Sequence, residues 1–67
     1  MEIKITTPFI KLDQLLKFSG MVSTGGEAKE VILEGLVKVN GETALQRGKK
    51  IYPGDEIYFN NEICKVI

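Results

Sequence analysis

The chain has no histidine, no tryptophan, a single cysteine, two prolines and no net charge, since nine basic residues balance nine acidic ones. Each shortage closes off a class of function. Without histidine, and with only Cys64, a Cys/His zinc site cannot be assembled, and neither Ser-His-Asp nor Cys-His catalysis has its parts. No pair among Asp13, Glu27, Glu30, Glu34, Asp55 and Glu56 has a supporting nucleophile, base or metal-ligand spacing, so no enzyme, no metal and no cofactor is expected. One cysteine cannot close an intramolecular disulfide, and small secreted domains usually rely on several, so a reducing, cytoplasmic location is expected. No stretch approaches the roughly 18 apolar residues of a membrane-spanning helix, and Met1 to Thr7 lacks the apolar run of a signal peptide. No membrane partner is expected. Zero net charge removes any whole-molecule field, so an electrostatic function has to come from local segregation of charge.

What is present is one small domain. Sixty-seven residues can close a single hydrophobic core, and 43% hydrophobic with 27% charged residues is a globular composition. Charge is segregated: the segment 46–54 carries Arg47, Lys49 and Lys50 and no acid. Alternation in Glu2 to Thr6 predicts a half-buried first strand. Thr7-Pro8 reads as an N-cap followed by proline at the first helical position, with Phe9, Leu12, Leu15 and Leu16 as a buried stripe and Gly20 as the stop. Thr24-Gly25-Gly26-Glu27 fits a capping box and opens a second helix, with Ala28, Val31 and Ile32 inward and Gly35 at its end.

From Leu36 the period changes to two. Val37 and Val39 share a face, Asn40-Gly41 signals a type I′ hairpin turn, and a return strand runs from Glu42 to about Leu45. A basic connection leads into Ile51-Tyr52. Tyr52-Pro53-Gly54-Asp55 has the residues of a type II turn, and strands at Glu56 to Phe59 and Glu62 to Val66 flank a tight turn at Asn60-Asn61. Two adjacent helices before a run of short strands make the class α+β and exclude a doubly wound parallel sheet. Tyr52, Tyr58 and Phe59 are expected to pack, and Cys64 to be a small apolar filler.

Several spaced motifs carry a resemblance: Lys11-Leu12-Asp13-Gln14-Leu15-Leu16, Thr24-Gly25-Gly26-Glu27-Ala28-Lys29, Gly35 to Gly41, Arg47-Gly48-Lys49-Lys50-Ile51 and Pro53 to Ile57. Together, over about residues 9 to 59, they resemble the S-four domain, the alpha-L RNA-binding motif, and the Gly25-Gly26 pair is similar to its short stand-alone YaaA-type members. The resemblance implies two short helices packed on a small sheet of short, mainly antiparallel strands, with residues 1–67 as a single domain. It implies RNA as partner, ribosomal RNA first and tRNA-like structure second, with association with a ribosomal particle, a monomeric state and no catalysis. Matched residue by residue, the RNA face it implies comprises Lys11, Thr24, Gly25, Gly26, Lys29, Lys38, Arg47, Lys49 and Lys50.

Physical chemistry adds to this. Two glycines at a helix N-terminus are poor helix formers, but they let a phosphate reach the free amides closely. Lys11 and Lys29 oppose the dipoles of their helices, which a bound anion would compensate. The scattered cations are expected to gather on one side. Two alternatives stay open: an adaptor that docks the basic loop on an acidic protein partner, and a ubiquitin-like sulfur carrier, suggested by Val39 to Glu42 and Gly54 to Ile57 but lacking a terminal Gly-Gly.

Overall fold

The C-terminal hairpin forms where alternation and turn chemistry agree. In the computed structural model, which describes residues 1–67, β6 (Glu56–Phe59) and β7 (Glu62–Val66) pair antiparallel around Asn60 and Asn61, at φ 54° and 64°. Positive φ at both central residues is what a type I′ turn requires. β3 (Lys38–Val39) joins β6, and β4 (Glu42–Thr43) closes that edge through Asn40-Gly41, at φ 52° and 85°. β1 (Glu2–Ile3) runs parallel to β7 on the other edge, giving the order β1-β7-β6-β3-β4. The expected strands 56–59 and 62–66 are found as read, whereas the first strand is shorter than expected.

Register places Val39, Ile57 and Cys64 side by side across three strands, and all three are buried. The helices cover that face. α1 (Leu12–Phe18) buries Leu12, Leu15 and Leu16, and α2 (Gly25–Leu33) buries Ala28 and Ile32. Val22, from the connection between them, completes the helical share of a 13-residue core that contains no polar residue. Each buried Leu, Ile or Val contributes about 1.5–3 kcal/mol. Val31 is only partly buried, at the margin of this cluster. Gly35, at φ +76°, ends α2: its N–H donates to the Ile32 carbonyl and that of Leu36 to Val31, a Schellman pattern that needs a left-handed residue there.

The start of α1 departs from the sequence expectation. Thr7 is not its cap: the Thr7 hydroxyl donates to the Phe9 carbonyl, and the helix begins four residues after Pro8, at Leu12. Before it, β2 (Ile10–Lys11) pairs antiparallel with β5 (Lys50–Ile51) in a second, two-stranded sheet. The physical reason is tertiary. The Leu12 and Asp13 amides donate to the Lys49 and Arg47 carbonyls at 2.9 and 3.0 Å, so a distant loop satisfies the helix start that a local threonine was expected to satisfy. Phe9 therefore lies outside the helical stripe. Tyr52 and Tyr58, expected to pack, are exposed.

Candidate nucleic-acid interface

Pairing of β2 with β5 sets Lys11 directly opposite Lys50. Like charges facing each other across two strands are destabilising, by a few tenths to about 1 kcal/mol. The Lys50 ammonium lies 4.9 Å from the centroid of the Phe9 ring, a cation–π contact worth about 0.5–1 kcal/mol at an exposed site. Phe9 in turn meets Tyr52 at 6.0 Å between centroids, tilted by 50°. Because the Arg47 and Lys49 carbonyls bind the first turn of α1, the basic loop is pinned to this corner by its backbone while its side chains stay exposed. Lys49 also lines an open cleft with Val39, Asn40 and Thr43 of the first hairpin. No lysine or arginine side chain is a donor in any side-chain hydrogen bond of the molecule.

The start of α2 is built differently. Thr24, in extended conformation, accepts the Glu27 amide on its hydroxyl at 3.1 Å, and the Glu27 carboxylate accepts the Ser23 amide at 2.9 Å. The capping box thus forms, shifted by one residue on its return bond. The amides of Gly25 and Gly26 donate to no backbone carbonyl outside the helix ladder and to no side chain, so they point into solvent. Neither glycine is needed by the chain itself. A Cβ at Gly25 would meet nothing within 4 Å, and one at Gly26 only the Thr24 hydroxyl at 3.9 Å. Lys29 is exposed one turn further on.

All nine residues named from the sequence are exposed, and the structure distributes them over three places. Lys11, Arg47, Lys49 and Lys50 meet at the first turn of α1. Thr24, Gly25, Gly26 and Lys29 follow the other end of that helix, which is about 10 Å long at 1.5 Å per residue. Lys38 stands on the outer sheet face, paired with Tyr58 and Thr43, with the core between it and the helices. Sequence reasoning did not find the Phe9–Tyr52 contact or a further tie: the Asn40 side chain donates to Asp55 at 3.0 Å and accepts the Glu56 amide at 2.9 Å, locking the first hairpin turn to the 52–55 turn. Asn40 is thus more than turn chemistry. The Cys64 thiol, held in the core, is pushed above its ordinary pKa by burial and is not available as a nucleophile. No group of three or more acidic or cysteine residues could hold a metal ion, and no helix is long and apolar enough to cross a membrane.

Two helices meeting through a tight connection, a hairpin sheet beneath them and a cationic corner define a known class. The chain belongs to the S4 domain family, whose model matches residues 3–67, and its fold is that of the alpha-L motif. Among its relatives is the probable ribosome maturation protein RlbA of Bacillus subtilis, 42% identical over 55 residues that cover 82% of this chain and 78% of RlbA. YbcJ of Escherichia coli is 35% identical over 60 residues, 90% of this chain and 86% of YbcJ. The solution structure of E. coli YbcJ, which reveals an alpha-L motif involved in RNA binding, superimposes with a TM-score of 0.76 at 31% identity, over 98% of this chain and 85% of that one. The 30S ribosomal protein S4e of Thermoplasma acidophilum gives 0.65 at 26% identity, over 87% of this chain and 31% of that one.

Proposed function

We propose that this chain is a non-catalytic, cytoplasmic RNA-binding protein that docks on structured RNA, ribosomal RNA in the first place, through phosphate placement and shape, as part of ribosome assembly or translation. The observation that carries the reading is the Lys11–Lys50 pair: the ladder sets two exposed lysines directly opposite each other, and the Arg47 and Lys49 carbonyls tie the basic loop to the same corner. A polyanion would relieve that repulsion. The RNA-binding motif of YbcJ and the ribosome-maturation role named for RlbA support the same partner class. In this reading the α1 corner supplies most of the cationic contacts, the Gly25 and Gly26 amides with Lys29 supply a second phosphate contact, and Lys38 belongs to the periphery. Nothing in the side chains suggests a base-reading code, so shape and phosphate spacing carry the recognition.

Three to five neutralised phosphates would give a log–log salt slope of roughly −2 to −4.5. Anisotropy titrations against ribosomal RNA fragments at several salt concentrations measure it, and an affinity indifferent to salt would refute the reading. The adaptor alternative draws on the same exposed basic loop, Arg47, Lys49 and Lys50, docking on an acidic protein partner. Nuclease treatment separates the two, since an adaptor stays in its complex when RNA is digested. The sulfur-carrier alternative loses its basis with membership of a different family.

A further inference from the structure

Packing does not account for Tyr52. Its side chain is 48% exposed, and its hydroxyl has no hydrogen-bond partner, whereas the Tyr58 hydroxyl is paired with the Asn61 side chain at 2.9 Å. Its backbone is nevertheless held on both sides. The Tyr52 amide donates to the Asp55 carboxylate at 2.8 Å, its carbonyl accepts the Asp55 amide at 3.0 Å, and the preceding Ile51 is buried in the pairing with Ile10. Asp55 is itself tied to Asn40. One edge of the ring is backed by Phe9, and Phe9 carries the Lys50 ammonium, with Lys11 across the ladder. A half-exposed aromatic ring on a held backbone, against Phe9 and on the ladder that carries Lys50 and Lys11, offers both things that a nucleotide out of its helix presents surfaces for: a π-face for the base and positive charge for its phosphate.

We propose that Tyr52, backed by Phe9, is a stacking platform for one unpaired nucleobase of the bound RNA, with Lys50 and Lys11 receiving the two phosphates that flank it. The proposal rests on the RNA-binding reading above and narrows it. The RNA has to bring a loop, a bulge or a single-stranded end to this corner, because a blunt duplex keeps its bases stacked on each other.

The chain has no tryptophan, so Tyr52→Trp introduces its only indole. Titration of this variant with an RNA hairpin carrying an unpaired loop should quench the indole emission, while a blunt duplex of equal length and heparin, a polyanion without bases, should not. Tyr52→Leu, which keeps an apolar contact with Phe9, should weaken hairpin binding about tenfold without changing the salt slope, at an unchanged melting temperature. Wild-type affinity in Tyr52→Leu, or equal quenching by heparin, overturns the platform and leaves the RNA-binding reading intact. Failure of the wild-type protein to bind either RNA at low salt overturns both.

Discussion

The two helices of this domain satisfy their first amides in opposite ways, and the difference leaves two unlike surfaces, one of side-chain charge and one of open amides. At α1 the leading N–H groups are consumed by the Arg47 and Lys49 carbonyls, so the backbone there has little to offer a ligand. What the corner has instead is side-chain charge, with Lys11 facing Lys50. At α2 the Gly25 and Gly26 amides remain open, but Glu27 folds its carboxylate back to Ser23 beside them. One site is cationic without free amides; the other has free amides under a negative charge. In the RNA-binding reading proposed above, this division assigns attraction over distance to the α1 corner and short-range fit to the α2 start.

Breaking the stronger half should have the largest effect. Replacing both Lys11 and Lys50 by Glu should reduce affinity for structured RNA by at least tenfold and flatten the salt slope by about 1.8, the loss of two phosphate contacts. Lys11→Glu alone adds a test that a purely structural role would fail. It converts a like-charge cross-strand pair into an opposite-charge one, so RNA binding should weaken while the protein gains up to about 1 kcal/mol of stability. Thermal melts and anisotropy on the same sample read both. A variant that loses stability together with binding would show that Lys11 serves the fold.

The weights on the two sites could only partly be read from the sequence. Turns were legible because their chemistry is local: Asn40-Gly41, Asn60-Asn61 and the Pro53-Gly54 turn, with Gly54 at φ +100°, each require a backbone that those residue types adopt most readily. The capping box of α2 was legible for the same reason, as were both helix stops. The α1 corner was not. Thr7-Pro8 is a good local start signal, but hydrogen bonds from Leu12 and Asp13 to a loop more than 30 residues away decide where the helix begins. The Lys11–Lys50 opposition and the Phe9–Tyr52 contact depend on the register of a two-residue ladder, which leaves no periodic trace. The candidate residues were named through family resemblance and charge, while their division into a cationic corner, a helix start and an outer-face Lys38 came from topology.

The α2 half is tested next by its glycines. With open space around the Cβ positions and no left-handed φ, Gly25→Ala and Gly26→Ala should each stabilise the fold by about 0.4–1 kcal/mol. For a domain of this size that raises the melting temperature by a few degrees per substitution. If a phosphate approaches these amides, the double variant should bind RNA several-fold more weakly despite being more stable, because two methyl groups stand where the oxygens would lie. Unchanged affinity would reduce the α2 start to a plain helix cap, and the whole anion-binding function would pass to the corner.

The smallest effect sharpens the comparison most, because it should move stability and binding in opposite directions. Glu27→Gln keeps an oxygen to accept the Ser23 amide, so the cap persists, but it removes the negative charge beside the Gly25 and Gly26 amides. A carboxylate in the first turn of a helix stabilises it by about 0.3–1 kcal/mol, and the variant should lose that much in a denaturant titration. A phosphate at the same place no longer has to approach a carboxylate, so affinity for RNA should rise by about two- to fivefold, a similar energy with the sign reversed. The gain should shrink with added salt, as expected for an exposed charge. A loss of stability with no gain in affinity would mean that no phosphate comes near the second helix, and that the two helix starts divide their labour between binding and folding rather than between charge and fit.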